Sequence, residues 1–114
     1  MVYYLSASEL LDPQGPAATG ATVRLGGMVR PGDEDGWREQ LPLRFYVTDG
    51  QSTVKVSSTG AAPQMFREGI GVVVEGYLDD GVFHTDRVMV KHNNEYRVPD
   101  GHEDMQAVAE SLEG

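Results

Sequence analysis

A histidine and a tyrosine stand four positions apart where the last apolar, strand-like run of the sequence ends. The run is VMVK at residues 88–91, and His92 and Tyr96 follow it. Imidazole and phenolate both ligate iron in haem proteins, where the axial ligand is the main control that the protein has over the iron. The spacing alone is weak evidence, because a polar strand end explains it more simply. The rest of the chain must decide between the two interpretations.

Other catalytic and metal-binding arrangements have less support. The sequence has 0 cysteines, which excludes disulfides, thiolate metal sites and thiol nucleophiles. No serine or aspartate is tied to His92 by a hydrolase motif. His92 and His102 are separated by ten positions with only scattered carboxylates between them, which is a poor spacing for zinc. His84 lies inside a strand pattern and is typical of a surface or rim residue.

Nucleotide and nucleic-acid sites are also poorly supported. Gly69, Gly71 and Gly76 resemble a dinucleotide fingerprint in composition only, since a strand follows them where a helix should begin. The formal net charge is −9, from 18 acidic and 9 basic residues, and such a field repels phosphate backbones. We therefore predict no nucleic-acid partner and assign most aromatic residues to the core, although six of them could stack bases on a sheet face: Tyr3, Tyr4, Trp37, Phe45, Tyr46 and Phe83.

Short strands are the elements that must position His92. The chain has 114 residues, enough for one core, and its 14 glycines and 6 prolines are too many for a helical bundle of this length. Alternating apolar, β-branched and aromatic residues separated by turn residues predict five strands. Ser6 and Glu9 predict a capped helical turn before them. The predicted strands are residues 21–30, 43–49, 53–58, 71–78 and 82–91.

The order of these elements predicts an all-β fold. One strand, a hairpin, a short helix over residues 61–69 and a second hairpin match an OB-fold-type small Greek-key barrel, with the helix between strands 3 and 4. An open sandwich would also fit the number of strands, but it gives the helix between them no structural role. The pair Gly26-Gly27 predicts a bulge or a sharp bend. Residues 1–99 are the predicted domain, and the polar, acidic residues 100–114 predict a flexible tail.

Four segments read together resemble a known family. VRLGGMV, FYVTD, PQMFREGIGVVVEGYL and VMVKHNNEY occur in this order. They closely resemble the cytochrome c maturation protein E (CcmE) family of periplasmic haem chaperones, over roughly residues 3–99. The combination of Phe-Arg-Glu-Gly-x-Gly-Val-Val-x-Glu-Gly with a later Lys-His-x-x-x-Tyr is specific, because chance agreement of both in this order is very rare.

The resemblance implies a transient covalent adduct with haem b. His92 matches the histidine whose imidazole nitrogen bonds to a haem vinyl group, and Tyr96 matches the tyrosine that ligates the iron. The family takes haem from a membrane partner protein and passes it, through the haem lyase complex, to apocytochrome c. The resemblance therefore implies a carrier and not an enzyme. It also implies the periplasmic side of the inner membrane and one transmembrane anchor, which we expect before residue 1.

Haem is a flat apolar plate with two anionic propionates, so a surface site for it needs apolar area and a few cations. We expect Val88 and Val90 to supply apolar area. Arg87, Lys91 and Arg97 are the candidate contacts for a propionate.

The sequence departs from the family at Asn93-Asn94, where an acidic pair is usual. This change removes two charges beside the attachment site and leaves both ligand candidates in place. A nucleic-acid-binding OB module and a noncovalent haem-binding protein remain the alternative functions.

Overall fold

Five strands close into a barrel, and a sixth short strand and one helical turn precede them. The computed structural model describes residues 2–30 and 40–91. Its elements are β1 (Tyr4–Leu5), α1 (Ala7–Leu10), β2 (Val23–Arg30), β3 (Leu43–Thr48), β4 (Thr53–Ser58), β5 (Gly71–Asp79) and β6 (Val82–Val90).

The sheet runs in the order β1-β2-β3-β4-β6-β5, and β5 also pairs with β2. This second pairing closes the barrel. The β4–β6 pair is parallel, while β2–β3, β3–β4, β5–β6 and β2–β5 are antiparallel. A closed five-stranded barrel with one parallel contact confirms the predicted OB-type fold.

Alternation along the strands fills the barrel interior. In β3, Leu43, Phe45 and Val47 are fully buried while Arg44 between them is exposed, as expected for a strand with one face on the core. The same pattern in the other strands, together with α1, builds a single core. Its largest fully buried side chains are Phe45, Phe83, Leu10, Leu25, Leu43 and Ile70.

The paired glycines of β2 lie where this strand changes partner. The register of β2 with β5 is continuous from Val23 to Met28, which excludes a bulge in this pairing and leaves the sharp bend as the other half of the prediction. Close approach of neighbouring groups requires the glycines instead. A Cβ on Gly27 would lie 2.6 Å from the carbonyl oxygen of Thr48, and one on Gly26 would lie 2.9 Å from the Tyr4 ring.

The capping box before the barrel is confirmed. Ser6 accepts a hydrogen bond from the Glu9 amide, and the Glu9 carboxylate accepts one from the Ser6 amide. The Ser8 amide donates to the Asp49 carboxylate at 2.9 Å and so ties α1 to the β3–β4 turn. Across residues 2–30 and 40–91, no helix has the length and apolar character that a membrane crossing needs.

The predicted helix over residues 61–69 is wrong. This segment forms two turns, in which the Phe66 amide donates to the Pro63 carbonyl and the Ile70 amide to the Arg67 carbonyl, each at 3.3 Å. Met65 has φ 67°, in the left-handed region that a right-handed helix cannot contain. Phe66 packs edge-to-face on Phe45 with ring centroids 4.9 Å apart, and this core contact fixes the turn in place of a helix.

A bulge that was not predicted from the sequence interrupts β6. Val74 of β5 pairs with Val88, but Gly76 pairs with Thr85, so β6 has one extra residue opposite Glu75. The two residues in the bulge, 86 and 87, are both exposed. Because of the bulge, Thr85 and Val88 both point inward and are buried at 7% and 6% exposure. The predicted tail at 100–114 and the loop at 31–39 lie outside the described residues.

Candidate functional site

The candidate site begins where β6 ends. His92, Tyr96 and Arg97 lie outside the described residues, so the barrel's contribution is the strand end that precedes them. Val90 pairs with Val72, and the Lys91 amide donates to the Gly71 carbonyl at 3.0 Å. We call residues 88–91 the β6 exit. The chain therefore reaches His92 from a backbone that is held to the start of β5.

Several strands begin or end on the side of the barrel towards which β6 runs. Met28 near the end of β2 pairs with Gly71, and Leu43 at the start of β3 pairs with Ser58 at the end of β4. The segment 59–70 runs from β4 to β5 at this same end of the barrel. The Gly69 amide donates to the Val29 carbonyl at 2.8 Å, and the Val29 amide donates to the Ile70 carbonyl at 2.9 Å. These bonds fix the last turn of the segment beside β2.

Two large apolar side chains are exposed at this end of the barrel. Met65 is 52% exposed and Leu41 is 54% exposed. Met65 stands on the segment 59–70, and Leu41 lies just before β3. At Met65, which has a positive φ, the chain changes direction. Met65 is exposed, whereas the next residue, Phe66, packs against the core. Neither exposed residue was predicted from the sequence, because their exposure depends on the turns and on how the segments pack.

The valines that were expected to supply apolar area do not form an exposed surface. Val88 is buried in the core with 6% exposure, so its predicted role in a haem platform is wrong. Val90 is partly buried and packs against the core. The bulge in β6 explains why Val88 is buried, because the extra residue turns this side chain inward.

The candidate cations near the exit differ in exposure. Arg87 lies in the bulge and is exposed. Lys91 is buried, with 5% exposure, so its ammonium is not presented to solvent in the way that the Arg87 guanidinium is. The third candidate, Arg97, cannot be placed. Arg87 is therefore the candidate propionate contact that is open to solvent among those described.

The barrel also holds a second histidine and tyrosine pair. His84 is half-buried on the outer face of β6, which confirms it as a surface residue. Its ring stacks on Tyr77 of β5 with centroids 5.2 Å apart and an interplanar angle of 23°. Because the two rings stack directly on each other, there is no room for a haem between them, and they cannot be its two axial ligands. Within the described ranges, no group of three or more His, Asp or Glu side chains is arranged to hold a metal ion.

The aromatic residues considered for base stacking differ in exposure, and Tyr4 is half-buried. Phe45 and Phe83 are fully buried core residues, as predicted, and Tyr46 is half-buried. Tyr3 is 58% exposed. Trp37 lies outside the described residues.

Known proteins with similar sequences indicate one family. The CcmE domain family matches residues 1–99. A cytochrome c-type biogenesis protein CcmE of Thermus thermophilus is 44% identical over 99 residues, which cover 87% of this chain and 69% of that protein. The CcmE of Methylocella silvestris is 46% identical over 97 residues, which cover 84% of this chain and 57% of the relative. This chain therefore matches only part of the length of these relatives.

Solved structures agree with the sequence relatives. The solution structure of the OB-fold domain of the haem chaperone CcmE from Desulfovibrio vulgaris superposes with a TM-score of 0.51 and 33% identity, covering 61% of this chain and 85% of that chain. The telomere capping protein Ten1 from Saccharomyces pombe superposes with a TM-score of 0.61 over 100% of both chains, but its 15% identity shows the fold alone. With the match over residues 1–99 and these sequence identities, the chain belongs to the CcmE family.

Proposed function

We propose that the chain is a haem chaperone of cytochrome c maturation that binds haem covalently and transiently through His92. Tyr96 is the proposed axial ligand of the iron. The observation that carries the proposal is the family match over residues 1–99, which includes the Lys-His-x-x-x-Tyr segment directly after β6. In this role the protein is a carrier and not an enzyme, and haem is its cargo.

The β6 exit supports the proposal physically. Met65 and Leu41 expose apolar side chains at the end of the barrel from which the chain continues to His92. An apolar plate gains from covering such side chains, at roughly 25 cal/mol for each Å² removed from water. Arg87 is exposed and can meet an anionic propionate, and Arg97 and Lys91 remain proposed contacts of the same kind.

The covalent step between His92 and a haem vinyl group needs no further reagent to balance its atoms and electrons. Addition of an imidazole N–H of His92 across a vinyl C=C bond forms one N–C bond and one C–H bond. The vinyl π bond and the N–H bond are lost, so the sum of the step is redox-neutral. A neutral imidazole has the free lone pair that such an addition needs, and an unperturbed histidine is mostly neutral at pH 7.

The proposed partners and location follow from the family. The chain receives haem from a membrane protein and delivers it to apocytochrome c through the haem lyase complex, on the periplasmic side of the inner membrane. A single transmembrane anchor would hold it there. Residues 1–99 are the proposed carrier domain in this scheme, and no nucleic acid is involved.

Loading with haem under reducing conditions tests the covalent proposal. After denaturation and acidic organic extraction, we expect wild-type protein to retain haem absorbance and the mass of one haem. His92→Ala should retain neither, whereas the matched control His84→Ala should load as wild type does. Tyr96→Phe should keep the adduct and change the iron spectrum. Extraction of all the haem from wild-type protein would favour a noncovalent haem-binding protein, and an adduct on His92→Ala would reject His92 as the attachment site.

A further inference from the structure

An open groove of about 400 Å³ lies on the outer face of the barrel, away from the β6 exit. It crosses β4, β6 and β5, where Ser57, His84 and Tyr77 form one cross-strand row. His84 precedes Lys91 by seven positions, which is about 20 Å along a strand with a bulge. The row of Ser57, His84 and Tyr77 therefore lies apart from the β6 exit, while Thr59 at the edge of the groove begins the segment 59–70.

A stacked pair of rings forms one wall of the groove. Tyr77 is 46% exposed, and its ring stacks on His84 with centroids 5.2 Å apart. The stack covers one face of the phenol ring and restricts its rotamers, while the exposed remainder faces water. The bare backbone of Gly76 lies between the strands, because a Cβ there would overlap the His84 carbonyl oxygen. The wall is therefore a fixed aromatic surface beside an open floor.

The lining of the groove accepts hydrogen bonds and carries negative charge. Glu75 and Asp86 are its two carboxylates, and no lysine or arginine is among the lining residues. One oxygen of Glu75 accepts from Arg24 at 2.9 Å. In the part of the chain that the structure describes, Asp86 has no ion pair. The remaining polar lining is mostly hydroxyl groups, from Thr22, Ser57, Thr59 and Thr85.

We propose that this groove receives an arginine or lysine side chain from an extended segment of a basic partner protein. A cation over the exposed part of the Tyr77 ring is attracted by the negative face of the π system. From that position a guanidinium or ammonium can donate to Asp86, and the bond is charge-assisted. Arg24 already pairs with Glu75, so Asp86 is the lining carboxylate that has no ion pair among the described residues, and it favours a basic occupant over an anionic one.

The proposal can be tested with the intact chain and short peptides. The probe is a capped peptide that contains two arginines, and the comparison peptides replace both with citrulline or with glutamate. Amide chemical shifts in two-dimensional NMR spectra report the site. We expect the arginine peptide to shift the amides of residues 57, 77, 84 and 86. Binding should weaken as salt is raised, because an exposed charge contact is screened. The citrulline and glutamate peptides should leave these amides in place.

Substitutions at the groove decide whether its residues cause the binding. Asp86→Asn and Tyr77→Ala should each weaken binding of the arginine peptide by about 3- to 5-fold, as expected for exposed contacts. Tyr77→Phe keeps the ring and should bind nearly as wild type does. Asp80→Asn is a matched control, since Asp80 is an exposed carboxylate of the β5–β6 turn that does not line the groove.

Three results would overturn the proposal. One is equal binding of the citrulline peptide, which would show that charge is not recognised. Another is a set of shifts centred on residues outside the groove. The third is a loss of affinity in Asp80→Asn as large as that in Asp86→Asn. Each result is independent of haem loading, so this test and the test of His92 can fail separately.

Discussion

The hydroxyl of Thr85 donates to the carbonyl oxygen of Glu75 at 2.7 Å, inside the bulge of β6. The Thr85 hydroxyl oxygen also accepts a hydrogen bond from the Arg87 amide at 3.2 Å, and the Arg87 carbonyl oxygen lies 3.0 Å from it as a second acceptor. One buried side chain therefore supplies polar partners to backbone groups that the bulge has taken out of the ladder. This arrangement sets the inward direction of Val88 and the path of the strand towards Lys91.

Thr85→Val should destabilise the fold by about 1–2 kcal/mol. Valine keeps the shape of the side chain but leaves buried backbone groups without their hydroxyl partner. Denaturant unfolding measures the change. Thr53→Val is the control, because Thr53 is exposed and its hydroxyl contact with Thr48 is long at 3.4 Å. Equal, small effects of both substitutions would contradict a structural role for the hydroxyl of Thr85.

Gly76→Ala should be among the most damaging small substitutions, at about 3 kcal/mol. Its Cβ would overlap the His84 carbonyl oxygen and lie 2.8 Å from the carbonyl carbon, so the two strands must separate. Thermal or denaturant unfolding reports the loss.

Gly20→Ala provides the comparison, since Gly20 has φ 83° and no neighbouring atom within 4 Å of a Cβ. Its cost should be about 1 kcal/mol, from backbone conformation alone. If Gly76→Ala lowers the free energy of unfolding no more than Gly20→Ala does, then the close approach of Gly76 to the His84 carbonyl does not require a glycine between β5 and β6.

Local signals were enough to predict most of the barrel. The Asp-Gly turn between the last two strands was predicted, and Asp80 and Gly81 have the positive φ values, 52° and 80°, that such a hairpin turn requires. The strand from 53 to 58 has the predicted bounds. A trace of the bulge was also present, because the consecutive charged residues Asp86 and Arg87 break the alternation of β6.

Features that depend on distant contacts were not predictable. The segment 61–69 has the composition of a helical turn, but the packing of Phe66 on Phe45 and the left-handed Met65 decide its shape. The exposure of Met65 and Leu41 and the stacking of Tyr77 on His84 likewise arise only once the strands have paired. His92 and Tyr96 remain predictions from the sequence and the family.

Asp49 should make stability depend on pH in the acidic range. Partial burial tends to raise the pKa of its carboxyl group, but hydrogen bonds from Ser8, Ser52 and Gln51 outweigh this and hold the pKa well below its ordinary value of 3.8. A carboxyl group whose pKa is lower in the folded state stabilises the fold above its unfolded pKa. That contribution is lost as the pH falls from about 4 through the folded-state pKa.

Asp49→Asn should therefore cost about 0.5–1 kcal/mol near neutral pH, because charge-assisted hydrogen bonds are lost but solvent screens this largely accessible carboxylate. The difference from wild type should shrink as the pH falls below about 4. Denaturant unfolding at several pH values measures both effects, and Asp80→Asn in the exposed turn should show neither. A difference that stays constant down to about pH 2 would refute the proposed titration of Asp49.

Met65 should contribute to haem affinity without taking part in the covalent step. In a His92→Ala background, where no adduct is expected, absorbance titration measures noncovalent haem binding alone. Met65→Ser should weaken it by about 5-fold, because roughly 1 kcal/mol of apolar contact with the plate is lost. Leu11→Ser should have no effect, since Leu11 is similarly exposed, at 41%, but follows α1 and not the segment beside the β6 exit.

Met65→Gly separates the effect on haem binding from the effect on folding. It relieves the left-handed backbone and should raise stability by about 1 kcal/mol while still lowering haem affinity. Haem affinity that is unchanged in Met65→Gly, or lowered equally in Leu11→Ser, would remove Met65 from the proposed haem surface.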